Sequence, residues 1–233
     1  TLYSLRSLLE LGQLGAVRSE LPERLADAEA RGDRFAQNSL RTGELNLVWL
    51  ARDDVEGARR EVAAAERDAG TEGLPLLQTL VAQTRIDLYA GEPARAQRRV
   101  VEQWPAIERS QLLRIQHQRV TLLGLRARVA LAGARLGQAR AMLDEAAGFT
   151  NELARTGVAW ALADAALLRG CIGQALGDSQ RAAVSFDQAA RDYGSCDMTL
   201  HAAIARLRFG KIVGGDEGRA AVGRSREWMA GQG

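Results

Sequence analysis

Apolar and polar positions alternate along this chain with the period of an α-helix almost throughout. In Gly177–Tyr193, Ala182, Phe186, Ala189 and Tyr193 fall on one face of a predicted helix. Gly177 ends the preceding helix, and Asp178 or Ser179 can accept an orphan backbone N–H at the start of the next. The same reading predicts helices over Thr1–Leu14, broken by Gly12 and Gly15, and over Ala16–Arg31, where Pro22 kinks or restarts the chain. A single long amphipathic helix is expected from Asp33 to Arg52, then Val55–Ala69, with Asp53 and Asp54 at its positive end. Gly70–Pro75 reads as a loop. Leu76–Ala90 and Ala94–Arg109 follow, the second ended or bent by Pro105. Gln111–Ala132, apolar on much of its circumference, is expected to be buried between neighbours. Leu136–Arg155, Val158–Leu176, Asp197–Val213 and Asp216–Ala230 complete the series, and no segment alternates like a strand.

The helices come in pairs. Aligning them on the small residue after each helix–helix turn marks Ala16, Ala58, Ala96, Ala139, Ala182 and Ala220, spaced 38 to 43 residues apart. Gly followed by Asp or Glu recurs at the turn in three units, at Gly177, Gly91 and Gly215. The small-then-aromatic face of Gly177–Tyr193 resembles the second helix of a tetratricopeptide (TPR) repeat, whose unit is about 34 residues. The expected fold is therefore all-α: a TPR-like α-α superhelix of about six antiparallel helix pairs with longer-than-standard repeats. The alternative from the residues alone is an irregular helical bundle. One helical-repeat domain spanning residues 1–233 is expected, with a subdivision near 70–75, and the chain reads as a fragment of a longer protein.

Composition adjusts this picture little. The chain is 46% hydrophobic but only 5% aromatic, and rich in Ala, which suits close helix packing. Its net charge of +2 makes no case for nucleic acid or an anionic membrane as partner. Two cysteines, Cys171 and Cys196, fit a reducing compartment, and no apolar run reaches membrane-spanning length, so a cytoplasmic location is expected.

Little in the chain points to chemistry. His117 and His201 have no metal-ligand spacing, and no P-loop or kinase motif is present. Gly214–Gly218 resembles the Gly-Gly-Asp-Glu-Phe signature of diguanylate cyclases, but it lies between two helices rather than on a hairpin. No catalytic residue, metal or cofactor is therefore assigned. The basic clusters Arg95, Arg98, Arg99 and Arg114, Arg119, Arg126, Arg128 read as solvated faces with Glu–Arg pairs, or as a surface for an acidic peptide. Counting back from the marker alanines by the TPR template nominates a partner-binding groove of Gln78, Arg85, Tyr89, Thr121, Arg128 and Gln174.

Three segments carry a more particular resemblance: Leu40–Val62, Arg85–Gln116 and Gly214–Met229. They look like the C-terminal helical-repeat region of large bacterial serine/threonine protein kinases that also carry a STAND-like P-loop ATPase module. That resemblance implies an interaction or sensor domain in a signalling protein, catalytic parts upstream, and a protein or peptide partner, which includes the parent's own kinase and ATPase domains. The alternative is a small-molecule inducer sensor of a STAND-type regulator, which requires a closed pocket lined by residues such as Trp49, Tyr89 or Trp160.

Overall fold

The computed structural model describes residues 2–68, 73–134 and 139–232. Among them the chain forms α1 (Leu2–Glu10), α2 (Leu14–Ala30), α3 (Arg34–Arg41), α4 (Leu47–Leu50), α5 (Val55–Asp68), α6 (Gly73–Tyr89), α7 (Pro93–Arg109), a 3₁₀ turn (Leu112–Arg114), α8 (Gln116–Gly133), α9 (Ala139–Arg155), α10 (Ala159–Ala175), α11 (Ser179–Ser195), α12 (Thr199–Val213) and α13 (Gly215–Ala230). No strand occurs among the described residues. The expected all-α helical repeat is what forms. Contacts divide the chain into two units, residues 1–9 with 13–125 and residues 10–12 with 126–233, so the boundary falls within α8. The subdivision expected near 70–75 falls largely on residues outside the described set.

Helix starts follow their caps. Asp33 Oδ1 accepts the Ala36 N–H at 2.9 Å, and Asp178 Oδ1 accepts that of Arg181 at 3.0 Å. The repeat register is set one turn further in. In α2, α5, α7, α11 and α13 the first helical bond runs to the carbonyls of Gln13, Asp54, Glu92, Asp178 and Gly214 from Val17, Ala58, Ala96, Ala182 and Gly218. All five donors are buried. This corrects two expected markers: Ala16 is half-buried and Ala220 is exposed, and Val17 and Gly218 hold the position instead. The side chain of Ala139 lies outside the described residues.

Within the second unit, α11 shows why the position must be small. Ala182, Phe186, Ala189 and Tyr193 are all at most 1% exposed. Their face meets α10 at Gly170 and Gly173, where an added Cβ would lie 2.5 Å from the Phe186 ring and 3.1 Å from the Ala182 nitrogen. The large anchor fits because the opposing helix has no side chain there. In the first unit, Leu50, Ala58, Val62, Ala82 and Ile86 make the corresponding core between α4, α5 and α6.

Several boundaries differ from expectation. Gly15 lies inside α2, so only Gly12 breaks the chain there. Pro22 and Pro105 both sit within continuous helices, and α7 runs past Pro105 to Arg109. The described part of the expected loop, Gly73–Pro75, is the first turn of α6. Gln111–Ala132 is divided by Gln111 at φ +58° and an extended Ile115. The largest difference is in Asp33–Arg52, which is two helices rather than one. Thr42 is extended and Gly43 has φ +59°, a conformation that favours glycine. The break is held from outside the segment. Gly43 N–H donates to the Gln78 carbonyl at 3.0 Å. The Asn46 amide donates to the carbonyls of Arg41 and Ala58. Partners on α5 and α6 thus compensate for the lost helical bonds.

Candidate functional site

The break between α3 and α4 turns Glu44 into a half-open cleft of the first unit. Its empty space is about 300 Å³, part of it open solvent. Four elements line it, each from the first helix of a pair: Arg6 of α1, Gly43 and Glu44 of the break, Leu77, Gln78 and Val81 of α6, and His117, Gln118 and Thr121 of α8. Helical spacing aligns these side chains, since Leu77 and Val81, and His117 and Thr121, are each four apart. Leu77 and Val81 are buried and carry the polar groups above them.

The polar groups converge on Glu44. Arg6 Nη2 lies 2.7 Å from Glu44 Oε2, and Arg85 Nη2 of α6 lies 3.8 Å from Glu44 Oε1. One carboxylate therefore faces two guanidiniums, all three side chains 23–31% exposed. Arg6 also contacts the His117 ring, and Thr121 Oγ1 is 3.4 Å from His117 Nε2. Gln78 is fixed beneath, its Oε1 accepting from Asn38 at 2.9 Å and from Ser39 at 3.3 Å.

Burial lowers the His117 pKa from its ordinary 6.5, and the Arg6 charge lowers it further against the opposing pull of Glu44. The ring is thus neutral at pH 7. Because the folded value is depressed, the unfolded chain takes up the proton first on acidification. Stability will fall as pH drops below about 6.5, down to the folded pKa, and will not depend on this group above that window. His117→Gln will flatten this part of the profile. Urea midpoints at pH 7.5 and 5.5 check it, and an unchanged slope in the variant would refute it.

Of the six residues nominated from sequence, Gln78 and Thr121 line this cleft, and Arg85 reaches its Glu44 at 3.8 Å. Tyr89 is exposed elsewhere in the first unit, its hydroxyl donating to Asp53 Oδ1 at 2.9 Å. Gln174 is exposed at the end of α10 in the second unit. Arg128 belongs to a polar cluster of the second unit. Its guanidinium donates to both oxygens of Asp164, and the Tyr193 hydroxyl donates to Asp164 Oδ1 at 2.8 Å. Burial alone would raise the Asp164 pKa, but Arg128, by charge and hydrogen bond, and Tyr193 together bring it below the usual carboxylate value. This cluster braces α8, α10 and α11. The template nominates neither Arg6 nor Glu44, and the sequence reading considers His117 only as a metal ligand. The template counted only regular helical positions, and Glu44 stands where regularity fails.

The other basic residues are dispersed. Arg99 Nε binds the buried Asp87 at 2.9 Å, Arg95 pairs with Asp87 and Glu92, and Arg126 stacks on the Phe149 ring. Among the described residues, no group of three or more His, Cys, Asp or Glu could hold a metal ion, and no helix is long and apolar enough to cross a membrane.

Helix pairs of this kind, packed in series, define an all-α helical-repeat protein. No family model, no curated protein and no solved structure matches the chain.

Proposed function

We propose that this chain is a protein-interaction and regulatory sensor domain of a multidomain bacterial signalling protein. The parent would be a cytoplasmic serine/threonine kinase with an ATPase module. The supporting observation is the polar cleft around Glu44, built from the first helices of consecutive pairs and open on one side. Such a cleft can admit a side chain presented by a protein or peptide, with the helices as a preformed support. The small-molecule reading gains nothing from its expected aromatic lining. Trp49 is half-buried in the core beside Leu50 and Ala58, Tyr89 is exposed, and Trp160 belongs to the second unit.

The test uses a photo-crosslinking amino acid in the parent protein in its native host. Placed at Gln118, it will yield an adduct with another protein or with an upstream domain of the parent. Placed at the exposed Val184 on α11, it will not. Deleting this region will change the parent's autophosphorylation severalfold. No adduct at Gln118 together with unchanged autophosphorylation would overturn the reading.

A further inference from the structure

We infer that Gln78 is the residue of the cleft that recognises the partner's main chain: its carboxamide NH2 donates to a backbone carbonyl of the bound segment, next to the side chain that enters. This rests on the interaction reading above and names the chemical group that is recognised.

The Gln78 carboxamide is fixed by its neighbours. Its Oε1 accepts from Asn38 Nδ2 at 2.9 Å and from Ser39 Oγ at 3.3 Å, and those two residues are only 2% and 8% exposed. The main chain is held as well, since the Gln78 carbonyl accepts the Gly43 N–H at 3.0 Å. The stem lies against Gly43, where an added Cβ would be 3.6 Å from Gln78 Cγ. With both donors on Oε1, the nitrogen is what the group has left to offer. Nε2 makes no hydrogen bond with the described residues and is not buried. Gln78 itself lines the cleft. An amide held in this way can bind without the loss of rotamer freedom that a solvated glutamine would suffer.

The donor selects its acceptor. A neutral N–H in a half-open site pairs best with an oxygen that leaves water at low cost. A carbonyl does so far more readily than a carboxylate. A carboxylate in this cleft would also meet Glu44, whose Oε2 is already on Arg6 at 2.7 Å. Every residue of an extended segment carries a main-chain carbonyl. Leu77 and Val81, buried beside Gln78 on α6, give the segment an apolar floor.

The experiment is an NMR titration of the isotope-labelled chain with acetyl-tetraalanine amide, a peptide with main-chain carbonyls and no polar side chain. At about 10 mM peptide, the Gln78 side-chain amide protons will shift downfield. Those of Gln180, exposed on α11, will not. Gln78→Glu keeps an oxygen for Asn38 and Ser39 but replaces the donor with an acceptor. Followed on the backbone amides of Leu77 and Val81, it will weaken binding about tenfold or more. Gln180→Glu, which adds the same charge outside the cleft, will leave binding unchanged. Thermal melts check that Gln78→Glu folds, and the wild-type titration is independent of that variant. An unmoved Gln78 amide, or wild-type affinity in Gln78→Glu, would overturn the inference. In the parent protein, Gln78→Glu will also cut the adduct yield at Gln118 by about the same factor. An undiminished adduct would overturn the inference and leave the interaction reading standing. An adduct absent from the wild type too, with autophosphorylation unchanged, would overturn both.

Discussion

Asp164→Ala will lower the unfolding free energy by about 3 kcal/mol, measured by urea denaturation at pH 7. Asp164 is 8% exposed and accepts from Arg128 at 3.0 Å and from Tyr193 at 2.8 Å. Removing it leaves a guanidinium without its counter-charge and a phenol, 1% exposed, without its acceptor. Breaking a buried pair by removing one partner costs about 3–5 kcal/mol. The Arg128 side chain is 38% exposed, so water screens part of the loss, and the lower end applies. A triple variant, Arg128→Met, Asp164→Leu and Tyr193→Phe, will recover most of it, because it removes the stranded polar groups as well. A loss under about 1 kcal/mol would mean that the cluster does not brace α8, α10 and α11. The pH sign follows from the lowered Asp164 pKa. Its contribution is present above the unfolded value of about 3.9 and is lost as pH falls through the folded value. The wild type will therefore lose more stability in acid than Asp164→Ala.

The second large effect is at the pairing of α12 and α13. Gly218→Ala will destabilise the protein by about 2 kcal/mol, although alanine is the better helix former by about 1 kcal/mol. A Cβ on Gly218 would lie 2.4 Å from the Gly210 oxygen, and one on Gly210 would lie 2.7 Å from the Gly218 oxygen. Both obstacles are backbone, so no rotamer change relieves them and the helices must separate. Gly223 supplies the contrast within the same helix. It is exposed, nothing lies within 4 Å of an added Cβ, and Gly223→Ala will stabilise by about 0.5–1 kcal/mol. Equal effects of the two substitutions would show that propensity, not close approach, governs this helix pair.

Much of the cleft was legible in part. A repeat template places first-helix positions such as Gln78, Arg85 and Thr121 on one side of a stack; Gln78 and Thr121 line one cleft, and Arg85 reaches its Glu44. The template did not extend to Arg128, because nothing local marks Asp164 as its bidentate partner 36 residues away. Nor did it find Glu44. Leu40, Leu45, Leu47, Val48 and Leu50 continue a helical pattern straight through the break.

What the sequence determined by itself was the helical period, the pairing of helices and the caps at Asp33 and Asp178. These depend on residues within a turn or two of each other, so their physics is local. The tertiary structure decided where that period is interrupted and which alanine or glycine is the contact. Gly43 leaves the helix because α6 offers its N–H the Gln78 carbonyl, and Asn46 finds acceptors on α3 and α5. Gly218 rather than Ala220 holds the register because the backbone of α12 passes at Gly210. Those interactions join distant parts of the chain, and a helical period cannot encode which partner will be there. Glu44 between its two arginines owes its place to that same long-range pairing.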